Sequence, residues 1–211
     1  WVRKYGESSG NDIGNDVIQT SDGGYVITGS TVSYSSDNSM DAWVIKVDSF
    51  GNYKYSGHFG NNSVGYSILE HDYGYIVCGS AWDASMLNQA WVFSIGLSGN
   101  YMYQDSSPVY AKFGEGGQDA CHSIQKTSDG SYIMTGKISV PNAGTWNVDL
   151  FVHKLGDNGW SDYKLFGGDG EDVGYAISET NDGTNYIISG ATSSIGVNYS
   201  VENWGDFNAY A

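Results

Sequence analysis

Tyr25-Val26-Ile27-Thr28-Gly29 is one of four aromatic and β-branched segments that end in glycine, and their repetition decides the fold. The other three read Tyr75-Ile76-Val77-Cys78-Gly79, Tyr132-Ile133-Met134-Thr135-Gly136 and Tyr186-Ile187-Ile188-Ser189-Gly190. Their terminal glycines recur every 50 to 57 residues. Because such residues favour strands and a fixed period of this length is typical of repeat architectures, we expect four copies of one β-rich unit.

A tight turn precedes each of these segments. Three copies of it read Thr20-Ser21-Asp22-Gly23-Gly24, Thr127-Ser128-Asp129-Gly130 and Thr180-Asn181-Asp182-Gly183, and the second copy of the chain has the degenerate His71-Asp72-Tyr73-Gly74. Asp-Gly between two β runs indicates a hairpin, since the turns that match strand twist require positive φ. Each copy is therefore predicted to begin with a β-hairpin.

Two further strands follow the hairpin. The third covers residues 41–47, 89–95 and 149–155, and the fourth copy begins it at 208–211. A shorter fourth strand ends in an aromatic-glycine pair, at Phe59-Gly60, Phe113-Gly114 and Phe166-Gly167. A first instance of that pair, Tyr5-Gly6, lies near the start of the sequence.

Four short antiparallel strands per repeat are typical of a β-propeller blade, whose two faces pack against neighbouring blades. We therefore predict an all-β fold, with one β-propeller domain over residues 1–211. Its four-stranded blades cover about 7–60, 61–114, 115–167 and 168–211. Residues 1–6 supply the strand that the last copy lacks, and their closure onto the last blade would complete a ring. An excerpt from a longer array is the alternative, and the pattern favours the ring.

The first copy contains a characteristic series of short motifs: Asp22-Gly23, Gly29-Ser30-Thr31, Asp41-Ala42-Trp43, Lys46-Val47-Asp48 and Gly51-Asn52. In this order they resemble the SBBP-type β-propeller repeat of secreted and surface proteins of bacteria and archaea, and the resemblance extends over nearly the whole chain. It implies a propeller fold and an extracellular or cell-surface location. The second copy departs from it at Ser94 and Gly96. The resemblance implies no catalytic residues.

The charge of the chain limits its partners. With 24 acidic and 9 basic residues the formal net charge is −15, a field that repels nucleic acids and anionic membrane surfaces. The same charge attracts cations or basic proteins. No apolar run reaches the roughly 18 residues of a membrane span, so no transmembrane segment is expected. Cys78 and Cys121 occupy unrelated positions in their repeats and are predicted to be core residues.

Enzymatic activity is the less favoured interpretation. The Asp-containing turns resemble those of sialidases, but such enzymes need several arginines and Arg3 is the only one in the sequence. A glycoside hydrolase that uses two loop carboxylates is the alternative function. The acids that fall outside the repeat pattern are Asp169, Glu171, Glu179 and Glu202.

Two acidic loops are candidate metal sites. The first contains Asp37 and Asp41, and the second contains Asp169, Glu171 and Asp172. Oxygen side chains interspersed with glycines can bind Ca²⁺, which takes six to eight oxygen ligands. Solvated turns are the favoured interpretation of both loops and a calcium site is the alternative, so no cofactor other than calcium is expected.

Four aromatic residues outside the repeat pattern are the candidate ligand-binding residues: Tyr34, Trp82, Trp146 and Trp204. We predict that they sit in the long polar loops between second and third strands, where exposed rings can stack on sugars or anchor a protein. The predicted function is therefore a non-enzymatic binding or scaffold module, secreted or surface-exposed, for protein or glycan partners. It can belong to a larger surface assembly or a longer chain.

Overall fold

The structure is a computed structural model of the 211-residue chain. It describes residues 1–6, 10–34, 39–83, 87–100, 110–114, 116–142, 145–156, 159–160 and 163–194. The chain clusters into two compact units. The first comprises Trp1–Ala84 and Trp91–Lys112, and the second comprises Ser85–Ala90 and Phe113–Ala211.

The first two sheets correspond to the first two repeats. One has the order β1-β2-β3-β4, all antiparallel: β1 (Asp12–Gln19), β2 (Tyr25–Thr31), β3 (Asp41–Val47) and β4 (Tyr53–Phe59). The next has the order β5-β6-β7-β8: β5 (Ser63–His71), β6 (Gly74–Asp83), β7 (Leu87–Gly96) and β8 (Tyr110–Phe113). A short β9 (Gly117–Gln118) pairs in parallel with the start of β7.

The other two sheets correspond to the third and fourth repeats. The third has the order β10-β11-β12-β13, with β14 also on β12: β10 (Ala120–Lys126), β11 (Tyr132–Asn142), β12 (Thr145–Gly156), β13 (Gly159–Trp160) and β14 (Lys164–Phe166). In the fourth sheet β15 (Asp172–Glu179) pairs with β16 (Tyr186–Thr192). The third strand predicted at 208–211 lies outside the described residues.

The all-β prediction is confirmed, because the described residues form strands and turns without a helix. All four predicted hairpins form, and three turn glycines, Gly23, Gly130 and Gly183, have positive φ. In the degenerate second copy the turn tightens to two residues between His71 and Gly74. The described part of the chain contains no helix that is long and apolar enough to cross a membrane.

A β-bulge recurs at one position in the first strand of every repeat. The register slips between Gly14 and Asp16, and the same slip occurs in β5, β10 and β15. Opposite it lies the glycine that ends each aromatic segment. A Cβ on Gly29 would overlap the Ile13 carbonyl oxygen, and Gly79, Gly136 and Gly190 face equivalent carbonyls. The bulge therefore explains why the motif ends in glycine.

The core of the first unit lies between its two sheets. Val26, Ala42 and Val44 of the first sheet pack against a cluster of the second sheet that includes Trp91 and Phe93. Phe59, at the end of β4, belongs to the same cluster, and its ring centroid lies 5.2 Å from that of Phe93. Neither sheet is covered on this face by its own residues, so each requires the other to exclude water.

The opposite face of the first sheet carries Trp43, Ile45 and Val47, with Tyr25 and Ile27 beside them. Tyr5 packs on this face, and its hydroxyl donates a 2.7 Å hydrogen bond to the Gly51 carbonyl. Residues 1–6 nevertheless form no strand. The neighbour predicted for this segment, at 208–211, lies outside the described residues.

The second unit has an equivalent core between the third and fourth sheets. It comprises Ile133, Val152, Ile177, Tyr186 and Ile188, with Leu150 and Phe166 packed against them. Phe166 ends β14, as Phe59 ends β4. Cys78 and Cys121 are not joined by a disulfide and are buried, as predicted.

Candidate functional site

Three of the four predicted ligand-binding aromatics are described, and all three are exposed to solvent. The exposed fractions are 37% for Tyr34, 45% for Trp82 and 59% for Trp146. Each lies at the end of its own sheet where the second strand leads into the third. Trp204 lies outside the described residues.

The prediction that these residues sit in loops is wrong for two of them. Trp82 belongs to β6, and its backbone N–H donates a 3.1 Å hydrogen bond to the Asn62 carbonyl. Trp146 belongs to β12 and pairs with Pro141 of β11. The strands continue through these polar segments because their backbone groups form hydrogen bonds with a neighbouring segment of the same chain. Both indoles are consequently presented on hydrogen-bonded strands.

Tyr34 is the aromatic residue with the most distinctive surroundings. Its ring stacks on His58, with 6.1 Å between centroids and 13° between planes, and it also contacts Trp43. His58 Nδ1 lies 3.3 Å from Asp41 Oδ2, and the Ser39 hydroxyl donates to Asp41 Oδ1 at 3.1 Å. Leu165 stands at the position of His58 in the third sheet. The contacts of His58 with Tyr34 and Asp41 are therefore not repeated in the third sheet. A binding site needs such a difference between repeats if it is to occur at one place in the protein.

The described residues of the two predicted metal loops are Asp41 in the first and Asp169, Glu171 and Asp172 in the second. Asp41 pairs with His58, and Glu171 forms a 3.3 Å ion pair with Lys137. Asp169 is exposed and Asp172 is buried, and Asp37 lies outside the described residues. Within the described ranges no three His, Cys, Asp or Glu side chains are grouped so that they could hold a metal ion.

A repeated acid at the start of the first strand anchors the segment that follows the second strand. Asp12 accepts hydrogen bonds from the Thr31 and Ser33 hydroxyls, at 2.5 and 2.9 Å. Asp119 accepts from the Ser139 backbone N–H at 2.6 Å, and Asp172 accepts from the Ser194 hydroxyl at 2.6 Å. The structural role of Asp172 in this pattern explains why it is buried.

The aromatic-glycine pairs make room for this acid. A Cβ on Gly6 would overlap the Asp12 carboxylate, and one on Gly114 would overlap the Asp119 carboxylate. In the second repeat the acid is replaced by Ser63, whose hydroxyl donates to the Phe59 carbonyl at 2.7 Å. The sequence motif is therefore a contact between the end of one repeat and the start of the next.

The aspartates of the hairpin turns form a second repeated network. Asp22 Oδ1 accepts hydrogen bonds from the Thr20 hydroxyl at 2.6 Å, from Lys46 Nζ at 2.9 Å and from the Gly24 N–H at 2.9 Å. The Thr20 hydroxyl, followed by Lys46 and Gly24, lowers the pKa of Asp22 to about 2. Asp129 makes the equivalent contacts with Thr127, Ser131 and Lys154. These carboxylates therefore stabilise the turns.

Glu179 has an equivalent in another repeat, contrary to the sequence interpretation that placed it outside the repeat pattern. Its carboxylate accepts hydrogen bonds from the Ser128 N–H at 2.7 Å and from the Ser128 hydroxyl at 3.1 Å. Glu70 binds Ser21 in the same way, at 2.7 and 2.9 Å. Each pair joins the turn of one sheet to the first strand of the next sheet within its unit. Glu202 lies outside the described residues.

Two acids of the second unit, Asp149 and Asp172, are brought together at one glycine. Both carboxylates lie against Gly167, where each would be within 3 Å of a Cβ. Asp149 Oδ1 is buried, and it makes no hydrogen bond to the described part of the chain. Burial, and then the Asp172 charge, raise the pKa of Asp149. In the first unit the equivalent Asp41 is paired with His58, and the neutral Ser63, whose hydroxyl accepts from the Ala42 N–H, stands in the place of Asp172.

We expect Asp149→Asn to stabilise the protein by about 1 kcal/mol at pH 7, because the amide can donate to the Asp172 carboxylate and an unsatisfied buried acceptor costs about 1 to 3 kcal/mol. Because the pKa of Asp149 is raised in the folded state, this group favours folding most below its unfolded-state pKa of 3.8. The wild-type protein loses that stability as the pH rises through the folded-state pKa of Asp149. The advantage of the variant should therefore grow with pH. Thermal melting between pH 4 and pH 8 measures it.

Asp41→Asn is the matched control, since Asp41 already has hydrogen-bond partners on both oxygens. It should give no stabilisation at any of these pH values. An Asp149→Asn protein that melts below the wild type at pH 8 would show that the two carboxylates are not in unfavourable contact.

Sequence reasoning missed His58 and Asp149. The signal for His58 was its occurrence at a repeated position that holds Leu165 in another copy. Asp149 occupies the same repeat position as Asp41, so nothing in the sequence set it apart. Asp172, which lies near it in space, was assigned to a metal loop. A scan against protein-family models finds no family that matches the chain, and a search of curated proteins finds no relative.

Proposed function

We propose that this protein is a non-enzymatic β-propeller that binds a glycan or a protein partner through aromatic side chains at one end of its blades. The observation that carries the proposal is the exposure of Tyr34, Trp82 and Trp146 at the same end of three repeated sheets. Large exposed rings on a rigid scaffold are typical of binding surfaces.

The hydrogen bonds of the described acids support a binding role over catalysis. Asp12, Asp119 and Asp172 anchor chain segments, and Asp22 and Asp129 stabilise turns. A glycosidase needs one protonated and one ionised carboxyl group on either side of a substrate. The lowered pKa of Asp22, caused first by the Thr20 hydroxyl, is unsuited to a general acid.

Ring closure is part of the same proposal. Tyr5 packs on Trp43 and Ile45 as Phe59 packs on the cluster of Trp91 and Phe93. Gly6 lies against Asp12 as Gly60 lies against Ser63. The segment 1–6 thus makes the contacts that the end of a preceding blade makes elsewhere, which supports its pairing with residues 208–211.

The proposed location is extracellular or at the cell surface. It rests on the resemblance to the SBBP-type repeat and on the acidic surface, with a formal net charge of −15. This charge also makes a basic protein a better candidate than an acidic one among protein partners. The module would act as a scaffold in a larger surface assembly.

A glycan array tests the proposal for glycan partners. We expect Trp82→Ala and Trp146→Ala each to lower the affinity for the best glycan at least tenfold, since stacking on an indole supplies much of the binding energy in such sites. Phe50→Ala is the matched control: Phe50 is 70% exposed but lies in the turn between β3 and β4. Equal binding by all three variants would contradict the proposed surface.

The glycoside hydrolase alternative is separated by a panel of chromogenic glycosides. The raised pKa of Asp149, caused by burial and then by the Asp172 charge, is the observation that favours it. The alternative would be supported if the wild type hydrolyses a glycoside, Asp149→Asn does not, and the array shows no bound glycan. The protein would then be a glycoside hydrolase and the binding proposal would be wrong.

A further inference from the structure

The end of the second sheet where β6 leads into β7 brings an exposed indole next to a side-chain amide. Trp82 is 45% exposed, and Asn62 immediately precedes β5. The register pairs Ser63 with Ala81, and the Trp82 N–H donates to the Asn62 carbonyl at 3.1 Å, so Asn62 stands directly opposite Trp82. Residues opposite each other in this way have their Cα atoms about 4.5 to 5.5 Å apart. Both residues belong to the first unit.

Asn62 has an unusual backbone conformation and an accessible side chain. Its φ is +47°, and no other non-glycine residue in the described ranges has a positive φ. Such residues are uncommon in proteins and are found more often than average at functional sites. Asn62 is exposed, and its Nδ2 donates to Asn61 Oδ1 at 3.0 Å. Because a side-chain amide has two N–H donors and two acceptor lone pairs, it can still donate one hydrogen bond and accept two.

Two other repeats make the same backbone contact without an aromatic residue. In the first repeat the Val32 N–H donates to the Asn11 carbonyl at 3.2 Å, and in the fourth the Ser193 N–H donates to the Glu171 carbonyl at 2.8 Å. The contact is therefore a property of the repeat, whereas the indole of Trp82 is peculiar to the second repeat among these three. An exposed tryptophan that the fold does not require is a candidate for recognition.

We propose that Trp82 and Asn62 together bind one ring of a neutral hexopyranose. The apolar C–H face of the sugar stacks on the exposed indole, and adjacent hydroxyl groups exchange hydrogen bonds with the Asn62 amide, which both donates and accepts. A sugar that carries a carboxylate is disfavoured, because the formal net charge of the chain is −15. This inference rests on the proposed function and names the ligand class for one of its aromatic residues.

Three methyl glycosides test the proposed ligand class. Methyl β-glucopyranoside and methyl β-galactopyranoside are the neutral probes, and methyl β-glucopyranosiduronate replaces the hydroxymethyl group of the first with a carboxylate. The readout is the indole N–H signal of Trp82 in a ¹H–¹⁵N NMR spectrum, assigned by its loss in Trp82→Val. We expect at least one neutral probe to shift this signal with a dissociation constant of about 1 to 10 mM. The uronate should bind about fivefold more weakly or worse.

Asn62→Gly is the decisive variant because it removes only the amide. Glycine adopts a positive φ without strain, so the backbone of the turn is retained. The affinity for the neutral probe should fall about three- to tenfold, the loss expected when the hydrogen bonds of one amide are removed. Asn11→Gly is the matched control, since Asn11 is exposed at the same position of the first repeat and faces Val32. It should leave the dissociation constant unchanged.

Three results would overturn the inference: a Trp82 signal that neither neutral probe shifts, wild-type affinity in Asn62→Gly, or uronate binding as tight as that of the neutral probe. If thermal melting shows that Asn62→Gly does not fold, the uronate comparison on the wild type decides. The glycan array separates this failure from that of the proposed function. Array binding that requires Trp82 or Trp146 but not the Asn62 amide would leave the proposed function standing and remove only this inference.

Discussion

Replacing Gly29 with alanine should lower the free energy of unfolding by about 3 kcal/mol or more, the largest effect we expect from a single substitution. The added Cβ would overlap the carbonyl oxygen of Ile13, which belongs to the backbone of the paired strand and cannot rotate away. Either the bulge at Gly14 must open or the hairpin must separate. Overpacking in a well-ordered region costs about 1 to 3 kcal/mol even when side chains can adjust.

Gly14→Ala is the control for Gly29→Ala, since Gly14 is the residue directly opposite in the register. A Cβ there meets only the Ile27 methyl group at 3.5 Å, an ordinary contact, so a change within about 0.5 kcal/mol is expected. Urea unfolding followed by circular dichroism measures both variants. Similar stability of the two would mean that the bulge does not require glycine.

Lys46→Ala should destabilise the protein by about 2 kcal/mol, the second large effect. Lys46 is 5% exposed, and its ammonium group donates to Asp22 Oδ1, the Thr20 hydroxyl and the Val47 carbonyl at 2.9 to 3.1 Å. The substitution removes these charge-assisted hydrogen bonds together with the packing of the aliphatic stem. Asp22 is largely solvated, so it is not left as a buried charge.

Lys54→Ala is the matched control for this second prediction. Lys54 is more than half exposed and pairs with Asp48 at 3.3 Å, and such surface pairs contribute little. A loss below about 0.5 kcal/mol is expected, again by urea unfolding. If Lys46→Ala proves as stable as Lys54→Ala, the lysine of the repeat motif has no structural role.

The turn network also predicts the behaviour at low pH. The hydrogen bond from Thr20, with those from Lys46 and Gly24, lowers the pKa of Asp22 to about 2. A lowered folded-state pKa contributes stability that is present above the unfolded value of 3.8 and is lost as pH falls through about 2. The wild-type turn therefore remains charged and hydrogen-bonded at pH 4.

Much of the strand arrangement was predictable from local patterns. The segments that end in Gly29, Gly79, Gly136 and Gly190 are second strands as expected, and each is preceded by its predicted hairpin. These features follow from strand period and turn chemistry, which depend on residues close in sequence. The polar segments around Trp82 and Trp146 were not predictable in this way, because their hydrogen-bond partners make them strands despite their composition.

The candidate sites depended on contacts between distant residues. Exposure of the three aromatics could be anticipated from their departure from the repeat, whereas the stack of Tyr34 on His58 could not. Glu179 looked unrepeated because Glu70, its equivalent in the second repeat, precedes a degenerate turn. Their shared role is visible only in the structure, where Glu70 binds Ser21 and Glu179 binds Ser128. The meeting of Asp149 with Asp172 likewise joins two repeats.

The sequence by itself determined the number of repeats, the order of strands within them and the position of each turn, since strand period and positive-φ glycines are local properties of the chain. Tertiary structure alone decided which charges find partners, as Glu179 does with Ser128 and Asp41 does with His58. The first of these depends on the side chains that one sheet presents to the next, and no single repeat contains that information.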